Sequence, residues 1–73
     1  MIAKIKFYDP KADHVSRISY TYESLINVNI DDIVVVNSKY GLNFGVVTEI
    51  LNNSTLLPSG KILCVVPTEE TYI

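Results

Sequence analysis

Residues 32–37 read Asp-Ile-Val-Val-Val-Asn, four consecutive β-branched apolar residues between polar ends. Such side chains are stiff at χ1 and pack well on a pleated surface, so the run is the strongest strand signal in the chain. With no polar residue in every second place, it predicts burial on both faces or a tightly curved sheet. Ser38-Lys39-Tyr40-Gly41 follows as a four-residue turn, with Gly41 able to take positive φ. Residues 42–51 then form the returning strand. Gly45 lies inside it and marks a bulge, a bend or a close backbone approach.

The rest of the chain repeats this pattern. Residues 2–8 alternate, with Ala3, Ile5 and Phe7 on one face and Lys4, Lys6 and Tyr8 on the other. Asp9-Pro10 breaks that strand, since proline cannot donate to a ladder. Residues 15–22 alternate again, placing Ile18, Tyr20 and Tyr22 on one face, and the two strands read as a hairpin. Residues 23–31 read as a loop with at most one helical turn, because the Asn residues oppose a long helix. Residues 52–60 form the longest loop and 61–66 a fifth strand, ended by Pro67; residues 68–73 are expected to form a terminal turn or brief 3₁₀ segment. Ile and Val number 18 against two Ala, which argues against a helical bundle.

Five strands near 2–8, 15–22, 32–37, 42–51 and 61–66 predict an all-β fold, a small antiparallel barrel, in one domain of 73 residues. The expected core is Ile5, Phe7, Ile18, Tyr20, Ile33, Val35, Val46, Ile50, Ile62 and Cys64.

The element from Asp32 to Ile50 resembles the Asp-x-Val-x-Val…Gly…Gly-x-Val pattern of SH3-like barrels. With Tyr20-x-Tyr22 before it and residues 61–66 after it, the chain looks like a group of small proteins of unassigned function from phages and phage-derived regions of Gram-positive bacteria. The central element is also similar to the C-terminal domain of the bacterial polymerase-suppressor family and to the DNA-3′-end-binding domain of the primosomal helicase. These resemblances imply an SH3-like five-stranded barrel, and no activity is carried over from them.

Composition narrows the functional classes. The formal net charge is −2, not the basic balance of a general duplex-DNA binder. One cysteine, Cys64, leaves no intrachain disulfide. The first ten residues lack the apolar run of a signal peptide and no stretch reaches membrane-spanning length, so a cytoplasmic protein without a membrane partner is expected. Sequons at Asn52 and Asn53 are then turn composition.

The chemistry-bearing residues are few. His14 stands beside Asp13, with Asp9 near, but one turn does not supply a closed metal shell, and a solvated turn histidine is expected. Cys64 sits in an apolar run that predicts a buried, quiet thiol. Adjacent Asp31 and Asp32 would point to opposite faces of a strand, so Asp32 is expected to close the preceding turn by accepting backbone N–H bonds. Glu69 and Glu70 read as a solvated terminus. No phosphate loop or nucleophile elbow is present, so no enzyme, cofactor or metal is expected.

Aromatic and basic residues form the remaining set. Tyr40, at a loop tip beside Lys39, has little core to enter, and Tyr22, Phe44 and Arg17 complete the expected binding residues. The expected role is an interaction module that docks on a protein partner or self-associates. The alternative is a single-stranded nucleic-acid or DNA-3′-end binder, which would stack bases on the aromatics and hold phosphates with Lys4, Lys6, Arg17, Lys39 and Lys61.

Overall fold

A computed structural model describes residues 1–52 and 57–67. These residues hold five strands and no helix: β1 (Ile2–Asp9), β2 (His14–Glu23), β3 (Ile33–Ser38), β4 (Gly41–Leu51) and β5 (Gly60–Val65). They therefore contain no helix long and apolar enough to cross a membrane. Each strand lies within one residue of the range read from the alternation. The expected turn at 68–73, with Glu69 and Glu70, lies outside the described residues, as do Asn53 and the middle of the 52–60 loop.

The strands make one sheet in the order β1-β2-β5-β3-β4, which returns to β1 and closes a barrel. Two hairpins, β1–β2 and β3–β4, are joined along one side by the antiparallel β1–β4 ladder. β5 returns antiparallel to β3. The ring closes through only two parallel pairs, Tyr22↔Gly60 and Glu23↔Lys61. Gly60 makes that seam possible, because a Cβ there would overlap the Asn37 carbonyl oxygen and the Tyr22 ring. Gly45 does the same for β1–β4, where a Cβ would overlap Ile5 Cγ2. Gly41 has φ +101°, the left-handed conformation that the β3–β4 turn needs.

The core consists of Ala3, Ile5, Tyr22, Val28, Val34, Val36, Val47 and Ile62, with Phe7, Ile50 and Val65 packed against it. Ile5 and Ile62 are core residues as expected, and Phe7 and Ile50 are partly buried. The other expected core positions are corrected. In β3 the inward residues are Val34 and Val36, not Ile33 and Val35; in β4 Val47 points in and Val46 does not. A run of like apolar residues carries no alternation, so its phase cannot be read locally. Cys64 is exposed. A register shift between Val35 and Val36 leaves Leu63 without a partner in the β3–β5 ladder, and this extra residue changes the inward set to Ile62 and Val65. Ile18 and Tyr20 share a face with Tyr22 but are exposed, because β2 runs beyond the closed ring.

The 24–32 connection is a loop, as expected, and drops Val28 into the core. Asp32 accepts a hydrogen bond from Asn29 N–H at 2.8 Å, the turn-closing role read for it. Asp31 takes φ +77°, a left-handed conformation that Asp tolerates better than most residues.

Candidate functional site

The β1–β4 ladder runs from Ile2↔Leu51 to Phe7↔Gly45 and stops. Beyond that point each hairpin continues by itself, β1–β2 to Asp9↔His14 and β3–β4 to Ser38↔Gly41. The two hairpin ends diverge, and a serine explains where. In β1–β2 the register shifts between Lys6↔Ser19 and Tyr8↔Val15, so Phe7 faces an excess of residues on β2. The Ser16 hydroxyl satisfies this bulge: its Oγ accepts from Phe7 N–H at 3.0 Å, and it donates to the Ile18 carbonyl at 3.0 Å. Bulges bend a strand and increase its twist. This one falls at Phe7, the residue at which the β1–β4 ladder ends.

The gap between the hairpins is a cleft of about 610 Å³. Phe7, Tyr8 and Asp9 line it from β1, and His14 and Ser16 from β2. Val35, Leu42, Asn43 and Phe44 line it from the other hairpin. Leu42 is 67% exposed and Phe44 40%, a large apolar surface at the end of a small domain. Polar groups gather at the β1–β2 turn. Asp9 Oδ1 accepts from Lys11 N–H at 3.0 Å and Ala12 N–H at 3.4 Å. Tyr8 donates its hydroxyl to Asp13 Oδ1 at 3.0 Å, and Asp13 sits at φ +50°. The bond to Asp13 raises the Tyr8 pKa above its ordinary 10.0, helped by some desolvation and by the negative charges of Asp13 and Asp9.

A second cavity of about 240 Å³ lies at the barrel mouth, lined by Phe7, Tyr20, Tyr22, Ser38, Lys39, Tyr40 and Ser59. Phe7 forms the wall between the two. Its ring lies 5.0 Å from that of Tyr20 and 6.3 Å, edge-on, from that of Tyr22. Burial pushes the Tyr22 pKa above 10.0, with Ser38 pulling the other way. Ser38 also organises the turn: its hydroxyl donates to the Gly41 carbonyl and accepts from Tyr40 N–H. Lys39 Nζ stands 5.1 Å from the centroid of the Tyr40 ring, within cation–π range.

The expected binding residues are therefore divided. Tyr22, Lys39 and Tyr40 meet at the small cavity, although Tyr22 is 1% exposed and offers almost no free ring face. Phe44 belongs to the large cleft. Arg17 is exposed on β2 and lines neither cavity. Of the other basic residues, Lys4 is 3.8 Å from Glu49 in a surface ion pair, and Lys6 and Lys61 line neither cavity.

Sequence reasoning missed Tyr8, Leu42 and the dividing position of Phe7. One signal for Leu42 was present. Leu42 and Phe44 alternate on β4 before Gly45, as Ile18 and Tyr20 do on β2 before Tyr22, so both hairpins carry more apolar alternation than one small barrel encloses. Among the described residues no group of three or more His, Cys, Asp or Glu is placed to hold a metal ion. The chain matches no protein-family model, and no curated protein or solved structure is significantly similar to it.

Proposed function

We propose that the protein is a non-enzymatic interaction module that docks on a protein partner through the cleft between its two hairpins. The observation that carries this reading is the exposed apolar end of the β3–β4 hairpin, Leu42 and Phe44, facing a cleft whose walls belong to separate ladders. Its volume lies within the ordinary range of ligand sites. The side-chain pairs hydrogen-bonded to each other, Tyr8–Asp13 and Asn43–Ser38, brace hairpins and do not join a nucleophile to a base. We read the barrel as SH3-like on the strength of the strand after Asp32, the turn at Gly41 and the close packing at Gly45. The resemblance of nearly the whole chain to small phage proteins supports a phage or prophage origin and work in the cytoplasm.

The second reading, a single-stranded nucleic-acid binder, is favoured by Lys39 over Tyr40 beside Tyr20 at the small cavity. Against it, the larger cleft is flanked by Asp9 and Asp13, which repel phosphate, and of the basic set Lys39 alone lines either cavity among the described residues. A titration at low salt with an oligothymidine separates the two. The interaction reading expects no salt-dependent binding and no effect of Lys39→Ala. Binding that weakens steeply with salt and is lost in Lys39→Ala and Tyr40→Ala would establish the nucleic-acid reading instead.

A further inference from the structure

We infer that the large cleft takes an extended peptide of another protein as an added strand on β4, and that this peptide alternates apolar residues with Lys or Arg. The inference rests on the docking reading above and specifies the partner's chemistry.

Three observations carry it. The first is a free strand edge. Gly41–Phe44 pairs with β3 on one side, through Ser38↔Gly41 to Val35↔Phe44, while the β1–β4 ladder ends at Gly45. Among the described residues nothing pairs with Gly41–Phe44 on the cleft side. In an antiparallel strand alternate residues aim N–H and C=O to opposite edges, so this segment presents a short row of backbone donors and acceptors to the cleft. Strand addition uses such a row for affinity and pockets for alternate side chains for specificity.

The second is the apolar lining. Val35, Leu42 and Phe44 share one face of the β3–β4 hairpin and offer contacts to every second side chain of an added strand, while Phe7 lines the cleft from the opposite, core-facing side. The third is charge. Asp9 lines the cleft, and Asp13 is held near it by Tyr8. Both carboxylates use Oδ1 for their hydrogen bonds, and neither Oδ2 is hydrogen-bonded among the described residues. Each carboxylate keeps acceptor capacity for a cation. Lys11 in the same turn is exposed and does not line the cleft; His14 does.

The occupant is not a second copy of this chain. The one segment here with the required alternation, Lys4-Ile5-Lys6, lies in β1 and is already paired with β2 and β4.

The test is an NMR titration of the intact, isotope-labelled protein with a capped Lys-Val-Lys-Val-Lys peptide. The expected result is amide shifts centred on Leu42–Phe44 and Tyr8, and at least roughly tenfold weaker binding of the Glu-Val-Glu-Val-Glu counterpart, which meets the two carboxylates. Asp13→Asn should weaken the lysine peptide severalfold while keeping the fold, since Asn also accepts the left-handed conformation. N-methylation of the peptide at every second amide should abolish binding in one phase and spare it in the other. Equal binding of both N-methyl phases would overturn the added strand. Equal or tighter binding of the glutamate peptide at the cleft would overturn the charge class and leave the docking reading intact. Shifts that appear on raising protein concentration alone would show a second copy in the cleft and overturn the inference. No shift with either peptide would overturn the inference, while Lys39-dependent oligothymidine binding would overturn the docking reading itself.

Discussion

Tyr22 and Tyr20 stand two residues apart on one face of β2, yet the first is 1% exposed and the second 37%. The contrast holds for the two ends of the molecule. At the closed end, β2 is flanked by β1 and by β5, and Tyr22 packs with Ile5, Val34, Val36 and Val47 in the core. At the splayed end, the same face of β2 has β1 on one side and, among the described residues, no strand on the other. Alternation decides which side of a strand is apolar. Only a second flanking strand decides whether that side is enclosed. The apolar surface left at the splayed end is the reason we propose it as the docking end.

The seam offers the most severe test of this contrast. Gly60→Ala would drive a Cβ into backbone as well as into the Tyr22 ring, and should cost about 3 kcal/mol, read as a lowered urea midpoint. The closed end should then lose its core packing while the Tyr8–Asp13 turn persists; a change below about 1 kcal/mol would mean the two parallel pairs do not close the ring. A matched pair comes next. Ile5→Ala, fully buried, should cost about 3 kcal/mol. Ile18→Ala, 64% exposed, should stay within about 0.5 kcal/mol. Equal losses from the pair would show that the splayed end is packed in solution.

Ser16→Ala removes the hydroxyl that accepts from Phe7 N–H and donates to the Ile18 carbonyl, and should cost about 1 kcal/mol. It should also speed amide exchange at Phe7 with little change at Val34 or Val36. The smallest effect concerns alkaline pH. Tyr22 is raised by burial and Tyr8 first by its bond to Asp13. Both pKa values lie above the unfolded 10.0, so neither group alters stability below pH 10.0. Stability falls as pH rises from there through each folded value. In a phenolate absorbance titration, Asp13→Asn should bring one tyrosine, Tyr8, back toward 10.0 and leave Tyr22 raised. Movement of both would mean the two ends are electrostatically coupled.

Much of the fold is legible in the chain. The Asp9-Pro10 break and the Ser38–Gly41 turn with its glycine act locally, so strand bounds and hairpins follow from near neighbours. The Asp32 turn is read correctly for the same reason. The core was harder. Ile33–Val36 and Val46-Val47 carry apolar residues in both phases, and the extra residue in β5 that exposes Cys64 exists only in its pairing with β3. The candidate site was legible in composition more than in place. Phe44 lines the large cleft and Lys39 and Tyr40 the small cavity, while Tyr22 is buried and Arg17 lines neither.

By itself, then, the amino-acid order determined how many strands form, where each begins and ends, and which neighbours join in hairpins, because alternation, proline and turn glycines act within a few residues. Tertiary structure alone decided which valines point inward, that two parallel pairs close the ring, and that the hairpin ends part to leave a cleft. Those outcomes depend on pairing between strands far apart in the chain, and one bulge there shifts every side chain beyond it.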